Sequence, residues 1–380
     1  MLKHHRVKKI NTIEWYSLLL CIFSIPLFES PKTIFLVITA ILFSIRHFIE
    51  KDWKEIPFTK DPRLGFLALA VTAALSAIFA QRPHLAIHGS FDFLKMYLLY
   101  VIVATDFLDK KAIKTIALIV IVSTAIGAIW GITGYVTGKS ATIELNSVGH
   151  INHSAIYLAL ALVLAIPFLR LLEGRPEKIF ISLSSLIILT TLILTSSRAT
   201  ILGIATALIV MSVFTKWKRQ LAYVFTAIIV VTVIILISVP GLQLLQKNTL
   251  LSDMSLISRI KLWGNAWEMF ISHPLLGVGS KHFRFYNTFE FGSHAHNLYF
   301  NTIAQLGIVG FISLMLLFYH IVKSLKASYG KNLLWHASLG AFTVVLVNGI
   351  FNTTLHTEHG LLFALITAMA ANHKHVRGKT

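Results

Sequence analysis

The sequence predicts an all-α polytopic membrane protein with about 12 transmembrane helices, on three observations. Apolar residues make up 56% of the 380-residue chain and charged residues 13%, and the mean hydropathy is +0.74. No single soluble core could hide that much apolar surface. The apolar residues come in runs able to cross about 30 Å of hydrocarbon, and the basic residues between the runs alternate as the positive-inside rule requires.

In chain order, spans are expected near 15–28, 33–49, 64–80, 94–108, 112–134, 152–172, 179–195, 199–215, 221–239, 297–320, 333–351 and 360–372. The basic start, Lys3 to Lys9, leads into a first span that is retained rather than cleaved. With the N-terminus inside, basic groups gather in every second loop: Arg46 to Arg63, Lys110 to Lys114, Arg170 to Lys178, Lys216 to Arg219, Lys323 to Lys331 and Lys374 to Lys379. An even number of spans with both termini cytoplasmic follows. The chain is expected to form one integral membrane domain, 1–380, containing one long outer loop, 240–296.

Several function classes are disfavoured. The net charge of +18 is scattered between apolar runs and forms no continuous basic surface, so no nucleic acid partner is expected. Cys21 is the single cysteine, which excludes a disulfide framework. The 16 Asp and Glu are expected in loops or at span ends, which argues against an ion-coupled transporter. The outer loops hold no D-x-D or E-x-D pair and no legible pair of hydrolytic carboxylates. No cofactor or metal is expected.

What remains is a set of cations and imidazoles on the outer side. Arg198, in Thr195-Ser196-Ser197-Arg198, opens a helix whose serines can cap it, and free N–H groups beside a guanidinium suit a diphosphate. The bland reading is an arginine reaching for lipid headgroups. Arg259 sits on the edge of an apolar stripe of Leu256, Ile260, Trp263, Trp267, Phe270 and Ile271, a helix at the membrane surface. It has no carboxylate three or four residues away, so its partner is a lipid phosphate or a substrate diphosphate.

His296 directly precedes the tenth span, where the helix N-terminus keeps its ring neutral and able to accept a proton. Asn297, Asn301 and Gln305 follow as a polar stripe facing protein or a wet cavity. A lone histidine is more often structural. Metal binding by His294 and His296 with His356, His359, His150 or His153 is a further reading, with spacings that fit no zinc pattern.

These residues resemble a known family. His296-Asn297 followed by Gly307 and Gly310 is similar to a signature of the O-antigen ligase and polymerase superfamily. Ser197-Arg198-Ala199, and Arg259 to Trp263 leading to His273-Pro274-Leu275-Leu276-Gly277-Val278-Gly279, also resemble it, as more weakly do Gly149, Asn152 and His153. The motifs cover roughly 145–320, and the topology covers the chain. The first four spans carry no mapped motif.

The resemblance implies a glycosyl-transferase-C-like fold in the bacterial inner membrane with a periplasmic active site. It implies transfer of a glycan from undecaprenyl diphosphate to a sugar hydroxyl of the lipid A core, inverting, without ATP or metal. In that chemistry Arg198 and Arg259 would stabilise the leaving diphosphate, and His296 would be the base. Arg82, His294, Asn297 and Asn301 would bind or orient substrate. A polymerase using the same donor is the alternative; a protein-glycan ligase or a lipid-linked sugar flippase is less favoured.

Overall fold

The computed structural model describes residues 2–59, 61–214, 249–288, 292–329 and 334–371, with the side chains of 2–4 and 249–256 left aside. The expected ninth span, 221–239, lies outside the described residues, as do 240–248 and 289–291 of the expected loop. Among the described residues every regular element is helical: α1 Leu2–Ser24, α2 Glu29–Glu50, α3 Pro62–Leu75, α4 Pro83–Asp106, α5 Lys110–Val136, α6 Ile151–Leu171, α7 Arg175–Leu194, α8 Arg198–Val213, α9 Thr249–Ser272, α10 Phe283–Tyr286, α11 Leu298–Ser328, α12 Trp335–Phe351 and α13 Thr357–Met369.

Six of them, α2, α4, α5, α6, α7 and α11, are long and apolar enough to cross a membrane. Of the others expected to span, α3, α8, α12 and α13 are shorter. With its 13 residues, α13 is about 20 Å long at 1.5 Å per residue, less than the hydrocarbon thickness.

The bundle is built around α6. From Ala155 to Ala165 its side chains are buried on every side, as an apolar helix without a polar face must be, and α5, α7, α8, α12 and α13 pack on it. The N-termini of α2, α4, α6, α8, α11 and α13 gather at one end. There Lys32 pairs with Glu358 and donates to Ser147 Oγ (2.9 Å), Ser197 Oγ donates to Asn152 Oδ1 (3.1 Å), and the Arg82 N–H donates to His282 Nε2 (3.1 Å). At the opposite end Arg46 joins Glu14 (2.8 Å) and Asp106.

The helix that leads away from this gathering, α11, is broken. Gly307 has φ +62° and ψ −162°, and the segment after α9 runs through the gap. Val278 and Gly279 donate to the carbonyls of Ala304 and Gln305 (both 3.0 Å), while Ile308 and Val309 donate to those of Pro274 and Leu275 (2.8 and 3.3 Å). Groups freed by the break are thus satisfied by protein, the condition for irregular backbone at membrane depth. This is the structural content of the two glycine motifs, 273–279 and 307–310. A Cβ at Gly307 would overlap the Leu275 carbonyl, and the left-handed conformation alone costs an alanine about 1–2 kcal/mol. Gly307→Ala will therefore lower the unfolding midpoint in detergent. Gly264→Ala, on an exposed stretch of α9 with nothing within 4 Å, will leave it unchanged or raise it.

Several expectations are corrected. α4 begins at Pro83, not near 94, because Ala86, Gly89 and Ser90 are covered by protein and Gly89 lies against Ser280. α1 begins at Leu2, not 15. Acidic groups do lie within helices: Glu14 in α1 and Asp92 in α4 are buried. Each is paired, Glu14 with Arg46 and Asp92 with Lys95 (2.8 Å) and Lys281 (2.9 Å), and paired charge is what permits burial. The predicted stripe on α9 divides. Leu262, Asn265, Ala266 and Met269 are buried, whereas Ile257, Ile260, Trp267 and Ile271 remain exposed.

Candidate functional site

The gathered N-termini hold six histidines. His153, in the first turn of α6, is central: ring centroids lie 5.5 Å from His150, 5.7 Å from His294, 5.3 Å from His356 and 5.2 Å from His359. His294 lies 4.5 Å from His296, which is 6.5 Å from His150. The sequence separates these residues by some 200 positions, and the fold joins them through α6, the 292–297 turn and the 352–356 connection.

His296 has φ +48°, a left-handed conformation rare outside glycine and found at constrained functional positions. The next residue fixes it. Asn297 caps α11 by accepting from Tyr299 and Phe300 N–H (2.9 and 3.0 Å) and donates to the Ile350 carbonyl (2.8 Å). Asn297 was expected to contact substrate; its carboxamide oxygen and one of its two amide N–H groups are engaged with the backbone. Among the described residues the His296 ring has no hydrogen bond. Burial, then the Arg259 cation, then His150 depress its pKa to about 4. Its neutrality thus rests on burial and Arg259, where the sequence pointed to the helix N-terminus. Burial, then His296, pulls His294 well below the ordinary histidine value.

Arg259 is half-buried on α9 and meets no carboxylate among the described residues. Burial lowers its pKa, yet a guanidinium keeps its charge. The helix is held against the His296 turn by Trp263, whose indole N–H donates to the Ala295 carbonyl (3.1 Å) and whose ring stacks on Phe300 at 5.7 Å.

Arg198 is exposed as the first residue of α8. The expected serine cap is absent: Ser197 stands at the N-cap position but makes no bond to the helix backbone, because its hydroxyl is drawn to Asn152. Thr200 likewise donates to Asn348 (2.9 Å), so α8 is tied to α6 and α12 while its first N–H groups lack a side-chain partner.

Arg82 stands apart from the imidazoles, stacked 4.5 Å over Phe285. Asn301 accepts from Ala295 N–H (3.3 Å) and Gln305 Nε2 (2.8 Å). With His294 and His356 it borders a cavity of about 240 Å³ between α4 and α11, where Asp92, Lys281 and Arg284 also lie. Neither Asp92 nor Lys281 is legible as a site residue in sequence. The signal available was the Asp92/Lys95 spacing of three inside an otherwise apolar helix.

Residues 183–315 match the O-antigen ligase family. The resemblance read from the sequence, to the O-antigen ligase and polymerase superfamily, is thereby borne out over this region. Arg198, Arg259, His294, His296 and the broken helix all lie in the O-antigen ligase region, whereas α4 and the 352–359 histidines lie outside it. No curated protein shows a match to the chain. The match supports an enzyme of ligase or polymerase type, and the apolar helices a membrane protein. As for metals, the imidazoles proposed as ligands do come together, but not as a ligand set. Among the described residues, the donor atoms of His47, Glu50 and Asp52, at the other end of the bundle, are those that close to within 4.8 Å.

Proposed function

We propose that the chain is an O-antigen ligase, moving a glycan from undecaprenyl diphosphate to a sugar hydroxyl of the lipid A core without metal or ATP. The observation that carries this reading is the strained His296 ring, which has no hydrogen bond among the described residues, beside a half-buried Arg259 that meets no carboxylate among them. A diphosphate is already a good leaving group, so charge stabilisation rather than a general acid is required. A sugar hydroxyl is a weak nucleophile and needs a base.

The acceptor oxygen attacks the anomeric carbon as the bond to the diphosphate oxygen breaks. The hydroxyl proton passes to His296, and the charge released onto the diphosphate is met by Arg259, by Arg198 and by the open N–H groups of α8. Attack opposite the leaving group inverts the anomeric centre. His294 and Asn301 orient the acceptor, and Arg82 contacts a lipid phosphate. The domain is single, 1–380, glycosyl-transferase-C-like, with 12 spans in the inner membrane, both termini cytoplasmic and loop 240–296 periplasmic. The alternation of helix ends supports this topology, since the site end holds the expected outer residues and the other end holds Arg46 and its basic neighbours.

The test is the lipopolysaccharide of a deletion strain complemented with wild type or His296→Ala. Core-only lipopolysaccharide with polymer left on its carrier, uncorrected by the variant, is the expected result. Core bearing a single repeat would make the chain a polymerase, and an unchanged ladder would remove both readings.

A further inference from the structure

The cavity between α4 and α11 touches His294 but is bordered by neither Arg198, Arg259 nor His296, so it is distinct from the proposed seat of the diphosphate. Its volume, about 240 Å³, is below the ~300–1,000 Å³ of sites for drug-sized ligands and suits one sugar ring. Its wall is partly apolar, with Leu85, Phe93 and Leu298, as the C–H face of a sugar requires.

Two features mark it as built for a polar guest. Thr353 lines it, is 5% exposed, and its Oγ1 has no hydrogen-bond partner among the described residues. A buried hydroxyl left unpaired is destabilising, and a ligand hydroxyl would remove that cost. The second is Lys281. Its backbone N–H is held by Gln305 Oε1 (2.5 Å), the preceding N–H by Ser76 Oγ (3.0 Å), and its Nζ lies 2.9 Å from Asp92 and 3.1 Å from His88 Nδ1. Asp92 is shared with Lys95, so one carboxylate faces two ammonium groups, and Arg284 adds a third cation at the rim. Among the described lining residues, positive charge is in excess.

Resting on the glycosyl-transfer reading above, we propose that this cavity seats a sugar of the acceptor glycan that carries an anionic group, a carboxylate or a phosphate, recognised by Lys281. His294 is its common wall with the base, so a neighbouring hydroxyl of the acceptor is delivered past that ring to His296.

The first arm of the test is ligand-observed NMR on the full-length protein in detergent, with glucose, glucuronate and glucose 6-phosphate as probes. At least one anionic sugar will bind ten-fold or more tighter than glucose, and which one does so separates carboxylate from phosphate recognition. Lys281→Gln will reduce that preference to near one. Asp92→Asn, which frees two lysines, will increase it, whereas a merely structural cluster would make both variants weaker. Arg259→Ala will leave it intact. Equal binding of all three sugars overturns the proposal, and so does anion binding lost in Arg259→Ala but kept in Lys281→Gln.

In the second arm, transfer assays, Lys281→Gln will raise KM for the acceptor ten-fold or more at unchanged donor KM. A rise in donor KM alone overturns the assignment. Wild type that transfers nothing while still preferring anionic sugars would instead sink the enzymatic reading, a different result from the loss of that preference.

Discussion

Replacing His296 with alanine will lower glycan transfer by about two to four orders of magnitude, the usual worth of a positioned general base, while binding of the lipid diphosphate donor is retained. The separation follows from the geometry. His296 is assigned to the acceptor proton, whereas the cations assigned to the donor, Arg198 and Arg259, stand on other helices. A filter-binding assay with labelled donor beside a transfer assay checks both halves, and a parallel loss of donor binding would refute the role of base.

The pH dependence has a definite sign. With its pKa depressed to about 4, His296 is neutral from neutrality down to about pH 5, and the rate will fall with acidity only as pH approaches 4. Stability responds earlier. An unfolded histidine titrates near 6.5, so the contribution of a buried neutral ring is complete above that value and declines as pH falls from about 6.5 towards 4. Melting in detergent will therefore occur at lower temperature at pH 5 than at pH 7.5, and His296→Ala will reduce the difference.

Removal of the Arg259 side chain will reduce kcat by about two to three orders of magnitude, comparable to the loss of one charge-stabilising donor elsewhere. Arg259→Lys will recover only part of it, because an ammonium cannot present the planar fork that grips phosphate oxygens in pairs. The KM for the acceptor will stay near that of wild type, since Arg259 does not border the cavity. A variant that lost affinity for acceptor and kept kcat would place Arg259 in a different role. Arg259→Ala will also raise the pKa of His296, since that cation is the second cause of its depression, so the acid limb of the pH profile will move to higher pH.

Helix order was legible because hydropathy is a local property of the sequence. The start of α4 was not, since Pro83 to Phe93 reads as polar and only one face of it is sheltered, with Gly89 against Ser280 and Lys281 nearly 200 positions away. Asp92 was hidden for the same reason: its partner Lys281 is distant in sequence. His296 and Arg259 were visible as types in a motif, but the depression of His296 by Arg259 depends on tertiary contact. The capping role of Asn297 was not read, because a cap and a substrate ligand use the same amide and its anchor, Ile350, is distant in sequence.

The strand of backbone threaded through α11 makes a single mechanical piece of α9, the 292–297 turn and the first turns of α11. Trp263 clamps one end of that piece and the Pro274 to Gly279 strap clamps the other. The separation between Arg259 and His296 is therefore set mainly by contacts local to this piece, with one further tie from Asn297 to Ile350 of α12. Such a cassette lets the helices that do not touch it drift in sequence without recalibrating the bond-making distance.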